Sequence, residues 1–308
     1  MGARIVVTSF ALAIHCVICP AATAHPSSGI VVDPSGDVYF TDNREGADIL
    51  WKIDARGQLT QFHKSGWHWL ALDAHGGYAA ANFRAWFSKG IAPNFGRVPI
   101  ADGKLALIQT DGVPFVIAPD GNLYFAKGHL ELARLSPDGS LTVMAPGLRA
   151  MAEKLEGIKG LAAGPEGSLY ASCPSAVLRI KPDRTVATLI HPIRLNGLDT
   201  DLPPGTPNDH EPFLRGLAVD ARGTVYAAAT GGHCLAKITP DGKAEAIVKA
   251  ERPWSPTGVA VHDGEVYVLE YANANSDDHK AWRPRVRKLG RDGAVTTLAI
   301  APAKGEAK

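Results

Sequence analysis

The stretch Gly29-Ile30-Val31-Val32-Asp33-Pro34-Ser35-Gly36-Asp37-Val38-Tyr39-Phe40 reads as an apolar run, a tight turn, and a second apolar run carrying a tyrosine. The pattern returns at residues 160–170 (GLAAGPEGSLY) and 216–226 (GLAVDARGTVY), and three weaker copies make six in all. Each copy is followed by a third run that ends in another turn, such as Asp54-Ala55-Arg56-Gly57, Ser136-Pro137-Asp138-Gly139 or Thr239-Pro240-Asp241-Gly242. Short runs of this kind, punctuated by aspartate, proline and glycine, are antiparallel hairpins. A four-strand unit repeated at roughly 40–50 residues is the signature of a propeller blade. The expected fold is therefore all-β, a six-bladed β-propeller with four antiparallel strands per blade. The blades fall near residues 29–62, 67–109, 114–145, 158–190, 215–248 and 257–300. The second is the most degraded, with 70–73 and 78–81 as its inner strands and 97–100 and 105–109 as its outer hairpin. Ring closure is left to packing of 29–62 against 286–300, since blades one and six each supply their own four strands.

Connectivity then sorts the loops onto two faces. Turns from first to second and from third to fourth strands share one face, and nearly all have four residues: DPSG, DARG, APDG, SPDG, GPEG, DARG, TPDG. The remaining loops share the other face, and the insertions at 83–96, 147–157, 191–214 and 271–284 are assigned there, with a short helix over 148–155. Long loops on a rigid scaffold are where binding and catalysis usually sit.

Register places Ser28, His68, Val113, Lys159, Arg215 and Thr257 just before the innermost strands, at the channel mouth on the long-loop face. The ends of the second strands bring Asp42, Asn43, Asn82, Lys127, Cys173, Thr230 and Glu270. Positive charge gathered in such a funnel favours a carboxylate or phosphate. The alternative is that Lys159 and Arg215 pair with Glu270, Asp42 or Glu211 as structural ion pairs. His68, His129, His210, His233 and His279 map to the same face, where converging imidazoles hold a divalent metal or a single one acts as base. No HxH or HExxH spacing selects among them, so the cofactor is left open. The cluster Asn208-Asp209-His210-Glu211 leads into Arg215 and is the loop most suited to reach over the channel. Catalytic candidates are accordingly His68, His210 and Arg215. The ligand-binding candidates are Asp42, Asn43, Asn82, Lys127, Lys159 and Glu270. Loop aromatics (Trp67, Trp86, Phe87, Trp254, Tyr271, Trp282) either stack on a ligand or plug blade edges, the latter role suiting Trp69 and Phe83.

The first residues form a separate segment. Arg4 precedes an apolar run over 5–18, then Pro20 and the small residues 21–24, the layout of a cleaved export signal with a mature chain from about His25. Residues 25–300 form one domain and 301–308 a frayed tail; the protein is expected in the periplasm or outside the cell, as a monomer. Of the four cysteines, Cys173 and Cys234 remain after cleavage, in neighbouring blades, either as a disulfide or as two separate thiols. A formal net charge of +1 gives no argument for nucleic acid or a membrane surface. No later stretch is long and apolar enough to span a bilayer. No GxSxG elbow, GxxxxGK[ST] loop or dinucleotide fingerprint is present.

The repeated G-[IL]-[AV]-x-D-x-x-G-x-[VL]-Y with its following PDG turn resembles the NHL-repeat family and the six-bladed superfamily of senescence marker protein and gluconolactonases. The resemblance covers about residues 29–300. It implies a small-molecule site in the channel, with a divalent metal, usually calcium, held by a glutamate, asparagines and an aspartate. The matching positions here carry Ser28, Lys159 and Arg215, and Asn196-Gly197-Leu198 is similar to one ligand-bearing motif. The run GLAAGPEGSLYAS also resembles the streptogramin lyase repeat, and peptide-amidating lyase, with zinc on histidines, is a further relative of the NHL class. Two function classes follow. One is a lactonase- or esterase-type hydrolase or a lyase acting on a small anion. The other is a non-catalytic module that recognises a glycan, peptide or envelope protein through the long-loop face.

Overall fold

The computed structural model describes residues 26–44, 47–64, 67–195, 214–274 and 280–303. Blade one is β1 (Ile30–Val32), β2 (Val38–Asp42), β3 (Ile49–Ile53) and β4 (Leu59–Lys64). Blade two holds β5 (Trp69–Asp73), α1 (Phe83–Ser88), β6 (Phe95–Ile100) and β7 (Leu105–Thr110). Blade three is β8 (Phe115–Ile117), β9 (Leu123–Lys127), β10 (Glu131–Leu135) and β11 (Leu141–Met144), after which comes α2 (Leu148–Lys154). Blade four is β12 (Gly160–Ala163), β13 (Leu169–Cys173), β14 (Ala176–Ile180) and β15 (Val186–Ile190). Blade five is β16 (Leu214–Val219), β17 (Val225–Ala229), β18 (Cys234–Ile238) and β19 (Ala244–Lys249). Blade six is β20 (Trp254–His262), β21 (Glu265–Ala272), β22 (Arg283–Leu289) and β23 (Val295–Ile300). The result is the expected six-bladed propeller of antiparallel blades, each first strand lying at the axis.

Blade two departs from the simple pattern. Its sheet has three strands among the described residues, in the order β5-β7-β6, so Leu105–Thr110 and not 78–81 pairs with the innermost strand. The cause lies in Asp73 and Tyr78. The Asp73 carboxylate accepts from the backbone N–H groups of Gly77 (3.1 Å) and Tyr78 (2.7 Å), turning the chain out of the sheet. The Tyr78 hydroxyl then donates to the Leu135 carbonyl (2.5 Å) and accepts from the Leu123 N–H (3.0 Å), which fastens the segment to blade three. The insertion at 83–96 therefore starts from the four-residue-turn face and climbs the flank of blade three. A Cβ on Gly139, in a turn of that face, would lie 3.1 Å from the Trp86 indole. This corrects the assignment of every insertion to one face; α2 does lie in the long-loop connection where it was expected.

The core is not central. It consists of six apolar seams, one between each pair of neighbouring blades. Successive residues of a strand point to opposite sides, so each strand feeds two seams. Leu70 enters the seam with blade one and Ala71 the seam with blade three. Leu161 and Ala162 divide in the same way. The four-residue turns hold their shape through the aspartate that opens them. In 220–224, Asp220 Oδ1 accepts from the N–H groups of Arg222 and Thr224, both at 2.9 Å, while Gly223 takes a φ of +81°.

Glycines at the starts of four innermost strands allow the ring to close. A Cβ on Gly160 would sit 2.5 Å from the Arg215 carbonyl oxygen, and one on Gly216 would sit 2.9 Å from Gly258 Cα and from the Thr257 carbonyl. A Cβ on Gly258 would collide with the Ser28 carbonyl, and one on Gly29 would lie 3.0 Å from Leu70 Cβ. Among the described residues blades six and one meet without sharing a strand. Their seam is rich in aromatic rings, with Phe40, Trp51, Tyr267, Tyr271 and Trp282, and the Tyr271 hydroxyl donates to the Thr41 carbonyl at 2.8 Å. Gly258→Ala is expected to lower stability by about 1–3 kcal/mol, the cost of overpacking at rigid backbone. Chemical denaturation checks this; an unchanged midpoint would show that the blades can separate at the axis without loss.

Candidate functional site

The axis holds a channel of about 270 Å³ walled by all six innermost strands. Its lining runs from Ser28, Trp69 and Gly216 near the long-loop face to Val32, Ile117 and Val261 near the other. His68, Lys159, Arg215 and Thr257 lie at the starts of these strands, above that lining.

Arg215 is the residue on which the mouth converges. It is 5% exposed, and its charge acts on two groups in other blades. Burial first, and then Arg215, hold Lys159 below its ordinary value. Burial also pushes His68 down; Asp111, whose carboxylate stands 3.9 Å from Nε2, works against this, and Arg215 adds to the lowering. His68 belongs to blade two and Arg215 to blade five, opposite positions in a six-membered ring, so their mutual influence is exerted across the axis. One serine fixes the backbone of the cation pair. Ser172 Oγ donates to the Arg215 carbonyl (2.5 Å), and the Lys159 N–H donates to the Ser172 carbonyl (2.7 Å).

Asn43 organises the other side of the mouth. Its Oδ1 accepts from the Ser27 N–H (3.0 Å) and the Tyr271 hydroxyl (3.3 Å), so its Nδ2 is the donor toward His68 Nε2 at 2.9 Å. That assigns the acceptor role to Nε2 and the proton of the neutral imidazole to Nδ1. The His68 carbonyl in turn accepts from the Ser28 N–H (3.0 Å) and Ser27 Oγ (2.9 Å). Asn43 and His68 thus tie blades six, one and two together at the mouth, beside Lys159 and Arg215 from blades four and five.

Other sequence candidates have structural roles. Asp42 is fully buried, paired with Arg44 (2.8 Å) and accepting from Trp51 Nε1 (3.1 Å). Its burial raises its pKa despite Arg44. Glu270 is also fully buried and lies between Arg285 (2.5 Å) and Arg287, while Arg285 also pairs with Glu251 (2.7 Å) and stacks on Trp254, 4.2 Å from the ring centroid. Neither acid serves Lys159 or Arg215, and neither is offered to a ligand. Asn82 is not at the mouth, because it caps α1, its side chain accepting from the Ala85 N–H at 3.1 Å. Lys127 stands exposed at the end of β9. Cys173 and Cys234 do not pair; they are separate buried thiols in different seams, both pushed up to about 12 by burial.

Among the described residues the histidines do not converge. His129 and His233 occupy equivalent positions after their second strands, with left-handed φ of 60° and 50°. Each sends Nδ1 to a carbonyl of the following connection, Ile158 and Trp254, both at 3.1 Å. These are blade-to-blade staples. His210, His279, Glu211 and the motif Asn196-Gly197-Leu198 fall outside the described residues. Tyr271, Trp282 and Phe83 are packed into seams, which leaves Phe87 as the exposed large aromatic ring among the described residues.

No protein-family model matches the chain, and no curated protein matches it in sequence. Solved structures do resemble it. A gluconolactonase from Xanthomonas campestris is 16% identical over 80% of this chain and 83% of its own, with a TM-score of 0.50. A virginiamycin B lyase from Staphylococcus aureus is 13% identical over 93% and 87%, with a TM-score of 0.49. Regucalcin from Agrobacterium tumefaciens, a calcium-binding protein, is 14% identical over 80% and 82%, with a TM-score of 0.47. At such identities the likeness is one of fold.

The donors that the described residues bring to the mouth do not fit calcium, which takes six to eight oxygens, carboxylates prominent among them. Among the described residues the strand starts present Ser28, Lys159, Arg215 and Thr257, the two buried acids are held by arginines, and no group of three His, Cys, Asp or Glu side chains converges. Two outcomes test these assignments. Glu270→Gln is expected to cost about 3–5 kcal/mol of stability by leaving Arg285 and Arg287 uncompensated, measured by denaturation, and an unaltered midpoint would return Glu270 to the ligand candidates. In the native protein, Cys173 and Cys234 are expected to resist a thiol reagent at pH 8 and to react fully in denaturant without prior reduction, as read by peptide mass mapping.

Proposed function

We propose that the mouth of the propeller binds a small anionic molecule, a carboxylate or phosphate ester of sugar-acid size, and that the protein is a hydrolase or lyase acting on it. The observation that carries the reading is placement: His68, Lys159 and Arg215 stand at the starts of three innermost strands, where burial, with Arg215 adding to it, holds the first two below their ordinary pKa values. Three groups capable of positive charge, from blades two, five and four, share one field, and an arriving anion relieves it. Arg215 supplies a planar, permanently charged anchor suited to a bidentate carboxylate. His68 offers a neutral imidazole whose Nδ1–H points a donor away from Asn43. The lyase or hydrolase class is favoured over a glycan-binding surface because the loop aromatics are largely packed into seams and form no open platform. We further propose that the chain is exported with its first 24 residues removed; sequencing of the mature N-terminus from expressing cells tests this, and an intact Met1 would refute it.

Titration calorimetry of aldonic, 2-hydroxy and 2-oxo acids, with lactones alongside, tests the site. Arg215→Gln should weaken binding about ten- to a hundredfold, the worth of a charge-assisted contact, with an unchanged circular dichroism spectrum. Equal affinity in the variant would remove the proposal. The pH dependence has a defined sign. Lys159 is protonated below a pKa that lies under its ordinary 10.5, so affinity falls as pH rises through that lowered value. His68 gains charge only below its ordinary 6.5, so affinity increases as pH drops under that point until the ligand itself is protonated.

A further inference from the structure

Lys159 has features that anion binding does not require. Its side chain is half-buried at the channel mouth, and its ammonium forms no ion pair within 4.0 Å among the described residues. Three partly buried lysines within strands are, by contrast, engaged: Lys52 with Asp37, Lys237 with Glu245 and Lys288 with Glu265. Its backbone is fixed, through Ser172, to the backbone of Arg215, the two residues standing at the starts of adjacent innermost strands. A Cβ on the next residue, Gly160, would lie 2.5 Å from the Arg215 carbonyl, so there is no slack between the two strand starts. The two strand starts are therefore held side by side at the rim, close enough for the guanidinium charge to act on the partly desolvated amine. Placement next to a second cation in a sheltered site is one of the arrangements that activates lysine as a nucleophile. Cys173, the nearest thiol, is pushed up to about 12 by burial and does not compete for an electrophile.

We infer that Lys159 captures the carbonyl of a small 2-oxo carboxylate, whose carboxylate is seated on Arg215, as a reversible imine. This rests on the anion site proposed above and deepens it, since it names the ligand class: an acid with an aldehyde or ketone beside the carboxylate. The Nζ lone pair adds to the carbonyl carbon, and the carbonyl π pair moves to oxygen, which takes up the proton that nitrogen loses. The resulting carbinolamine expels its hydroxyl as water and forms the C=N bond. Water is the only product released, and no oxidant or reductant takes part. Burial and the Arg215 charge enlarge the free-amine fraction above that of an ordinary lysine, and that fraction supplies the nucleophile.

The test is reductive trapping of the full exported chain with pyruvate and cyanoborohydride at pH 8, followed by peptide mass mapping. Cyanoborohydride delivers hydride to the imine carbon and leaves a secondary amine, heavier by the mass of the acid less one oxygen. Lys159 should be labelled about tenfold or more faster than any other lysine, because the free-amine fraction rises about tenfold for each unit by which a lysine pKa falls. Labelling should be slowed by lactate, which has the carboxylate but no carbonyl, and by Arg215→Gln. In Lys159→Arg, which keeps a cation at the mouth, the fast label should disappear. Labelling spread evenly over surface lysines, with lactate still bound in an Arg215-dependent way, would overturn the imine and leave the anion site standing. Selective labelling at Lys159 without lactate binding would keep the imine and overturn Arg215 as anchor.

Discussion

Backbone-to-backbone contact at the axis is the constraint on which the rest of this molecule depends. Six strands must approach within a few ångströms of a common line, and a side chain at the point of closest approach would hold them apart. Gly29, Gly160, Gly216 and Gly258 stand at those points. Because the first residue of each inner strand is so tightly placed, the residue preceding it is fixed in position on the rim. Lys159 and Arg215 each precede one of these glycines. The cationic mouth is thus a by-product of close packing: the glycines set the radius, and the neighbours of the glycines inherit a shared, poorly solvated space.

Away from the axis, charge is handled differently. Glu270 and Asp42 are buried outright, and each is compensated by arginine from nearby in the same blade, Glu270 lying opposite Arg285 in the β21–β22 register. Paired charges of this kind are costly to desolvate and cost more when one partner is removed. They hold the ends of second strands rigid on the long-loop face. The protein therefore separates two uses of ionic groups: compensated pairs within blades, and basic side chains of different blades brought close enough at the channel to act on one another.

The repeat was legible in the sequence because its turn chemistry is local. Asp220 or Asp33 and the glycine that follows within a few residues specify a turn without reference to anything distant. Register was legible for the same reason, since a period of two carries it from each turn to the rim, which put His68, Lys159 and Arg215 together. What was not legible depends on partners that the period cannot see. Asp42 and Glu270 sat at the right strand ends, yet their arginines come from a bulged turn and a neighbouring strand; the spacing Asp42-x-Arg44 was the one local signal. Tyr78 looked like the start of a strand, but its hydroxyl had a better offer from backbone groups of blade three, and the strand moved to Leu105–Thr110. Asn82 was misplaced with it. Asn43 read as one polar residue among several and proved to be the junction of three blades, a property of geometry that no residue type announces.

The join between blades six and one has one more implication. Among the described residues every blade is built in chain order, and no strand is borrowed across the join. The described chain begins at Pro26 and ends at Ala303, with Ser27 hydrogen-bonded to Asn43 and Arg283 Nε donating to the Ala301 carbonyl on the same rim. Topologically the molecule is a closed necklace with a nick, and the nick does not define any bead. A chain joined there and opened at another inter-blade connection would thread the same six sheets in rotated order. Sequence position within this protein is thus a matter of where the ring happens to be cut, while the chemistry at its centre belongs to the ring.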